Sequence, residues 1–361
     1  MKVLQIINNL ATGGAEKLIL ETVPLINAKG VNCDVLVLNG IEYPFLKELK
    51  KMDIANVYSL TNGSIYNPFI IFKLIKYLKK YEIVHVHLFP ALYYVAIAKM
   101  ISFSSCKLIF TEHSTSNKRI RSKIFKFFDK IFYMPYSKII TISEKVDLTI
   151  KNHLKYNHQK FQLIKNGINL QKIKDAIYYD KFDFLKNREN FKIVLQVSSF
   201  QYPKDQKTVI KSLKFLPDYV ILFLVGVGEL KNECEEFVKN EKLSNRVFFL
   251  GQRMDVPNLL KSVDIIVLSS HYEGLSLSSV EGLASGKPFI ATNVQGLKEV
   301  VEGAGLLFKK NDDQELATII NKLINDENYY NEIKNNCIKR ALDFDISATV
   351  KNIINLYHTI L

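Results

Sequence analysis

The sequence predicts an α/β protein made of two doubly wound, Rossmann-like domains, each a parallel sheet covered by helices. Short runs rich in Val, Ile and Leu recur with little alternation, as expected of strands buried on both faces. Stretches with helical spacing separate these runs. The whole pattern occurs twice, on either side of a polar break near 165–190, in a chain of 361 residues, about twice the size of a usual domain.

In the first half the strand candidates are 2–8 (KVLQIIN), 33–38 (CDVLVL), 83–88 (IVHVHL), 107–111 (KLIFT) and 138–142 (KIITI), with helical spacing at 15–27 and 69–80. In the second half they are 192–198 (KIVLQVS), 219–225 (YVILFLV), 246–250 (RVFFL), 264–269 (DIIVLS) and 287–292 (KPFIAT), with helices expected at 206–216, 229–240 and 314–325. With 48% hydrophobic and 24% charged residues the chain is of globular composition, which excludes disorder, collagen and coiled coil. No apolar run reaches the ~18 residues of a membrane span. The opening MKVLQIINNLATGG reads as a first strand and its loop, since a signal peptide needs a longer apolar core and a cleavage site. The four cysteines (Cys33, Cys106, Cys234 and Cys337) form no CxxC pair, so neither a disulfide framework nor a zinc site is expected and a reducing cytoplasm fits.

The formal charge of +13 is unevenly spread: residues 1–165 carry all of the excess, and residues 166–361 balance. Such asymmetry suggests that the first lobe faces something anionic. Within it, 118–133 (KRIRSKIFKFFDKIFY) has helical spacing, with Arg119, Lys123, Lys126 and Lys130 on one face and Ile120, Ile124, Phe127, Phe128 and Ile131 on the other. This stretch reads either as a basic amphipathic helix on an anionic bilayer or as a surface helix whose apolar side packs on its own sheet. Nucleic acid is not expected as a partner, because no known binding motif accompanies the charge.

Ligands of doubly wound sheets bind at the carboxyl ends of the strands. The loop after the first strand holds Gly13, Gly14 and Glu16 and opens a helix, which suits a phosphate or a plain tight turn. His85 and His87 alternate with valines and so share a face; they read as satisfied polar residues more readily than as metal ligands, while His113 sits at a strand exit. The stretch 268–301 presents Glu273 and Gly274 in a loop, enters a helix near Ser276–Ser279, and continues to Glu281, with seven residues between the two glutamates. Two carboxylates suit sugar or ribose hydroxyls and the helix amides suit a phosphate, although Ser278-x-x-Glu281 also fits a capping box. Lys204, in the loop after the second domain's first strand, is placed either to reach a diphosphate or to remain solvated.

Taken together these residues resemble the retaining glycosyltransferases of family 4, also called group 1, which have the GT-B fold. The resemblance rests on Gly13-Gly14-Ala15-Glu16, on Asn166-Gly167-Ile168-Asn169 (with Asn169 where the family has Asp), on Glu273-x7-Glu281, and on the last stretch, 341–361. It implies an N-terminal acceptor-binding domain over 1–165 and a nucleotide-sugar domain over 166–340, facing across a cleft, with helix 341–361 crossing back to the first. Glu281 would bind ribose hydroxyls, Glu273 the donor sugar, Lys204 the diphosphate together with the amides near Ser276 and Leu277, and Gly274 and Leu275 would also belong to the donor site. Gly13 and Gly14 would let the first loop close on the phosphates, His113 would lie by the sugar, and Gln252 and Arg253 would frame the base. Where the family often has Gly-Arg, this chain has Ser198 and Ser199, which leaves Lys204 more of the diphosphate charge.

The resemblance implies no cofactor and no metal, since Lys204 and helix dipoles neutralise the leaving group. Asp343-Phe344-Asp345, formally DxD, reads as structural. The implied reaction takes a sugar, UDP-linked by preference, to a saccharide or polyprenol-linked acceptor in bacterial surface polysaccharide assembly. The enzyme is expected to be cytoplasmic and peripheral on the plasma membrane. A sugar-nucleotide epimerase on the same fold and a basic nucleic-acid-binding protein are the alternatives.

Overall fold

The computed structural model describes residues 1–113, 118–156, 158–180, 190–274 and 276–361. The chain divides into two compact units, Met1–Gly167 with Ile346–Leu361, and Ile168–Asp345. The second unit thus ends after residue 345, where the sequence placed that boundary at 340.

The first unit runs β1 (Lys2–Ile7), α1 (Gly14–Ala28), β2 (Asn32–Asn39), α2 (Pro44–Met52), β3 (Val57–Thr61), α3 (Ile70–Leu78), β4 (Ile83–His87), α4 (Ala91–Ser102) and β5 (Lys107–Glu112). It continues with α5 (Lys118–Arg121), α6 (Lys123–Phe132), β6 (Tyr136–Thr141), α7 (Glu144–Leu154) and β7 (Phe161–Leu163). The strands form a parallel sheet in the order β3-β2-β1-β4-β5-β6-β7. Alternate residues feed two cores. Leu4, Ile6, Val84, Val86, Leu108 and Phe110 meet α3, α4 and α7, whereas Val3, Ile7, Ile83 and Ile109 meet α1 and α2. The latter core also receives the final helix, which returns from the second unit.

The second unit holds α8 (Leu170–Lys174), β8 (Lys192–Val197), α9 (Gln206–Ser212), β9 (Val220–Val225), α10 (Lys231–Asn240), β10 (Val247–Gly251), α11 (Val256–Ser262) and β11 (Ile265–Leu268). Then come α12 (Leu277–Ala284), β12 (Phe289–Thr292), α13 (Lys298–Val301), β13 (Leu306–Phe308), α14 (Asp313–Asn325) and α15 (Glu327–Ala341). The last helix, α16 (Ile346–Ile360), belongs to the first unit. The second sheet is also parallel, ordered β10-β9-β8-β11-β12-β13. In each sheet the winding direction reverses once, between β1 and β4 and between β8 and β11. A doubly wound fold opens its ligand crevice at that point. Asn169 does local work: its side chain accepts the Lys172 amide at 2.9 Å and caps α8. Asp343 pairs with Arg340 at 2.9 Å, in keeping with a structural reading of Asp343-Phe344-Asp345.

The stretch 118–133 departs from expectation. Ser122, with extended backbone, caps α6 and breaks the single helix into α5 and α6. Arg119 is not on a basic face. It is 6% exposed, and its guanidinium bonds Asp129 at 2.7 Å, Glu112 at 2.8 Å and the Tyr133 hydroxyl at 3.1 Å. Tyr93 and His153 complete the shell of Asp129, each at 2.7 Å. Burial alone would weaken Arg119 as a base, but Tyr133, Glu112 and Asp129 around it raise its pKa instead. Burial likewise works against the Asp129 carboxylate, yet bonds from His153, Arg119 and Tyr93 hold its pKa below the ordinary value. This cluster turns α6 around: its one buried residue is Asp129, and Ile124 and Phe127 are 71% and 64% exposed. On the apolar side Ile124 and Phe127 face outward, Phe128 and Ile131 are more than half buried, and the adjoining Phe132 packs against the core.

Replacing Arg119 by Met leaves two buried carboxylates without their cation, which costs roughly 3–5 kcal/mol. Urea unfolding of Arg119→Met should show a loss of that size; a loss below about 1 kcal/mol would mean that the cluster does not hold this corner.

Candidate active site

In the second unit the loops after β8, β9, β10, β11 and β12 gather at the carboxyl edge. The loop after β8 is laced on both sides. Ser198 and Phe200 donate their amides to Val225 and Val227 at 3.0 Å, and Leu230 donates back to Phe200 at 2.9 Å. Such close approach demands glycines. A Cβ on Gly226 would lie 2.1 Å from the Ser198 carbonyl oxygen, and one on Gly228 would lie 2.3 Å from that of Phe200. On the other side Asp205 donates its amide to Ser269 at 3.1 Å, His271 donates to Pro203 at 2.8 Å, and Lys204 bridges Ser270.

This lacing brings Lys204 to Glu273, and the two side chains form an ion pair while 16% and 11% exposed. Glu273 is held from behind by Gly296, where φ is +92° and a Cβ would lie 2.3 Å from the Glu273 carbonyl oxygen. A side chain at Gly274, in contrast, would meet nothing within 4 Å. The protein's own packing therefore does not require that glycine. Leu275 lies outside the described residues.

The helix α12 starts with Ser276 as N-cap, and its ladder begins with Ser279 and Val280 donating to Ser276. The amides of Leu277 and Ser278 precede that ladder and are the orphan donors of the helix start. Ser278 is then the second helical residue and Glu281 the fifth, so the capping box does not form. Glu281 is instead buried one turn on, in a recess shared with Val197, Val256, Leu260 and Ser278. Arg253, after β10, is bidentate to Asp255 at 2.8 and 2.5 Å, and Tyr179 steadies the same carboxylate at 2.9 Å. The pair strengthens both charges: bonding to Asp255 raises the Arg253 pKa, and bonding to Arg253 lowers that of Asp255. Ser198 is buried, its hydroxyl accepting from Gln196 at 2.9 Å and Gln206 at 3.1 Å, whereas Ser199 is exposed.

In the first unit the loop after β1 is fixed by Asn8, which donates to the Phe89 carbonyl at 2.7 Å and accepts the Ala91 amide at 3.3 Å. Gly13 is the N-cap of α1 and Gly14 its first residue. The Glu16 carboxylate folds back over Gly13, where burial raises its pKa. The three histidines form one connected group on the face of the sheet that meets α16. Gln5 lies beside His85 in register, and His87 beside Thr111. His85 and His87 stack with centroids 4.4 Å apart, and His87 Nδ1 lies 3.0 Å from His113 Nε2. Burial lowers the pKa of His85 to about 3 and of His113 to about 4, and pushes His87 well below its usual value.

Sequence reading alone did not find Gln5, Tyr357 or Gly296. A glutamine at an inward position of an otherwise apolar strand was the available signal for the first.

A family model described as "Glycosyl transferases group 1" matches residues 180–340, and one described as "Glycosyltransferase Family 4" matches 12–172. The chain belongs to the group 1 glycosyltransferases. Over 309 residues this glycosyltransferase is 29% identical to the UDP-Gal:alpha-D-GlcNAc-diphosphoundecaprenol alpha-1,3-galactosyltransferase of Escherichia coli, covering 80% of this chain and 77% of that one. It is 26% identical to a Campylobacter jejuni GalNAc-alpha-(1->4)-GalNAc-alpha-(1->3)-diNAcBac-PP-undecaprenol alpha-1,4-N-acetyl-D-galactosaminyltransferase, covering 96% and 95%. Among solved structures, Anabaena Alr3699/HepE in complex with UDP-glucose superposes with a TM-score of 0.85 at 24% identity, over 99% of this chain and 100% of that one. That likeness establishes the fold: two Rossmann-like parallel-sheet domains of the GT-B type.

The three histidine pKa values set an acid limit on stability. Each ring is neutral when folded but takes a proton below about pH 6.5 when unfolded. Stability is therefore full above pH 6.5 and falls as pH drops towards the folded values, by roughly 1.4 kcal/mol per pH unit for each group. Urea midpoints measured from pH 7.5 to 5 should fall below 6.5; a flat profile would show that the rings are not held neutral.

Proposed function

We propose that this glycosyltransferase moves a sugar, with retention of configuration, from a UDP-sugar to a saccharide or polyprenol-linked saccharide in surface polysaccharide assembly. The observation that carries this reading is the Lys204–Glu273 pair beside the start of α12, at the strand where the second sheet reverses its winding. The relatives named above, which act on undecaprenol-linked saccharides, support the acceptor class. The UDP-glucose held by the Anabaena protein supports the donor.

In this reading Lys204 and the orphan amides of α12 take the diphosphate, with no metal ion called for. A diphosphate competes with Glu273 for Lys204 and so releases the carboxylate to the sugar hydroxyls. Gly274, which no packing requires, leaves room at the same loop. Glu281 takes the ribose hydroxyls, and Ser199 offers an exposed hydroxyl where relatives often carry Arg. The acceptor oxygen attacks the anomeric carbon on the face from which the diphosphate departs. The bond from that carbon to the diphosphate oxygen breaks, and the acceptor proton passes to the departing phosphate. Glu273 stabilises the positive charge that develops on the ring and forms no covalent bond. His113 contacts the sugar.

Glu273→Ala and Lys204→Ala should each lower kcat/KM for donor turnover roughly 10²–10³-fold, about 2–4 kcal/mol. If both retain wild-type values the assignment is wrong. UDP-sugar incubated without acceptor should yield no epimer, which separates transfer from epimerisation.

The exposed side of α6 supports placement on the inner, anionic leaflet of the plasma membrane. Ile124, Phe127, Phe128 and Ile131 present apolar surface next to the exposed Lys123 and Lys130 and the half-buried Lys126, and Lys73, Lys76, Lys79 and Lys80 add to the charge of the same unit. No helix among the described residues is long and apolar enough to cross a membrane. Each lysine near an anionic surface contributes ~1 kcal/mol. Co-sedimentation should therefore favour anionic over neutral vesicles, weaken with salt, and drop again in Phe127→Ser/Phe128→Ser. Equal pelleting with both lipids would remove the electrostatic part, and an unaffected double variant the apolar part.

A further inference from the structure

The polar group beneath α16 has a direction. The Gln5 amide nitrogen lies 2.8 Å from the Tyr357 hydroxyl, and its amide oxygen lies 2.7 Å from His87 Nε2. A carboxamide oxygen only accepts, so His87 carries its proton on Nε2. The buried ring is neutral, which leaves a lone pair on Nδ1. The group facing that lone pair at 3.0 Å, His113 Nε2, must then be the donor. His113 Nδ1 is left with a lone pair and no hydrogen-bond partner among the described residues.

The other branch follows from the same Gln5 orientation. With Tyr357 accepting from Gln5, its hydroxyl proton is available to His85 Nδ1, 2.7 Å away, and His85 Nε2 then faces Thr111 Oγ1 at 2.6 Å as the donor. Burial keeps the Tyr357 hydroxyl protonated for that donation.

We propose that Gln5 and His87 are positioning residues which, braced by Tyr357 of α16, hold His113 in its Nε2–H form and so offer Nδ1 as a hydrogen-bond acceptor for a hydroxyl of the substrate sugar. The assignment rests on the reading of His113 given above and adds a polarity to it: the sugar hydroxyl donates and the imidazole accepts. A sugar that lacks a donor at that position leaves the lone pair unmatched, so the relay contributes to specificity.

The test is a long-range ¹H–¹⁵N correlation on the full chain labelled at histidine, which reports which ring nitrogen of His113 carries the proton. The wild type should show it on Nε2. In Gln5→Met, His87 Nε2 loses its acceptor; because an orphaned buried N–H is costlier than an orphaned lone pair, the His87 proton moves to Nδ1 and forces the His113 proton to its own Nδ1. Tyr357→Phe frees the Gln5 amide to rotate and should give a mixture. In Gln5→Met, kcat/KM for donor turnover should fall about tenfold, the worth of one hydrogen bond, while affinity for UDP alone stays unchanged.

A His113 proton on Nδ1 in the wild type, or an unchanged form in a folded Gln5→Met, overturns the proposal. Failure of the underlying reading shows separately, as full turnover in His113→Ala while the wild-type spectrum still shows the Nε2 proton.

Discussion

A parallel sheet covered by helices on both faces has no free surface for polar chemistry, so functional groups collect where the strands end. Both units obey this constraint, and it explains why residues far apart in the chain meet. Lys204 and Glu273 leave strands that are neighbours only because the second sheet reverses its winding between β8 and β11. His87 and His113 meet because β4 and β5 pair in register, and Gln5 joins them because β1 sits on the other side of β4. Backbone bonds do most of the holding, and glycines set how closely the loops can be drawn together. Gly226 and Gly228 serve the loop after β8, and Gly296 serves that of Glu273.

The sheet strands were legible because burial on both faces leaves a continuous apolar run, and ten of them stand out in the sequence. Those it did not disclose, β3, β7 and β13, lie at sheet edges and are three to five residues long. Short edge strands bury little, so their apolar pattern is weak. The spacing of Glu273 and Glu281 was readable because it reflects one loop and one helical turn, both local. Whether Ser278 or Ser276 caps the helix was not, since a shift of two residues decides between a capping box and a site carboxylate, and the loop before it sets that register.

Arg119 shows the opposite limit. Helical spacing placed it with Lys123, Lys126 and Lys130, and nothing in the local sequence marks it as the cation that satisfies Glu112 and Asp129. Its role depends on partners from β5, α6 and the turn after α6, which spacing along one helix does not reveal. The burial of Asp129 then decides which side of α6 faces outward, so one ion cluster settles the orientation of a whole apolar face. Tyr357 escaped notice for a similar reason: its partners lie more than 270 positions away in the chain.

The helix α16 belongs to the core of the first unit although it follows the entire second unit in the chain. On the ribosome, the first sheet emerges early yet must wait, one face bare where Val350, Ile353 and Tyr357 will dock, until some 180 further residues have been made. The second unit, contiguous from Ile168 to Asp345, has no such delay. Translation order thus inverts the order of completion: the half begun first is finished last.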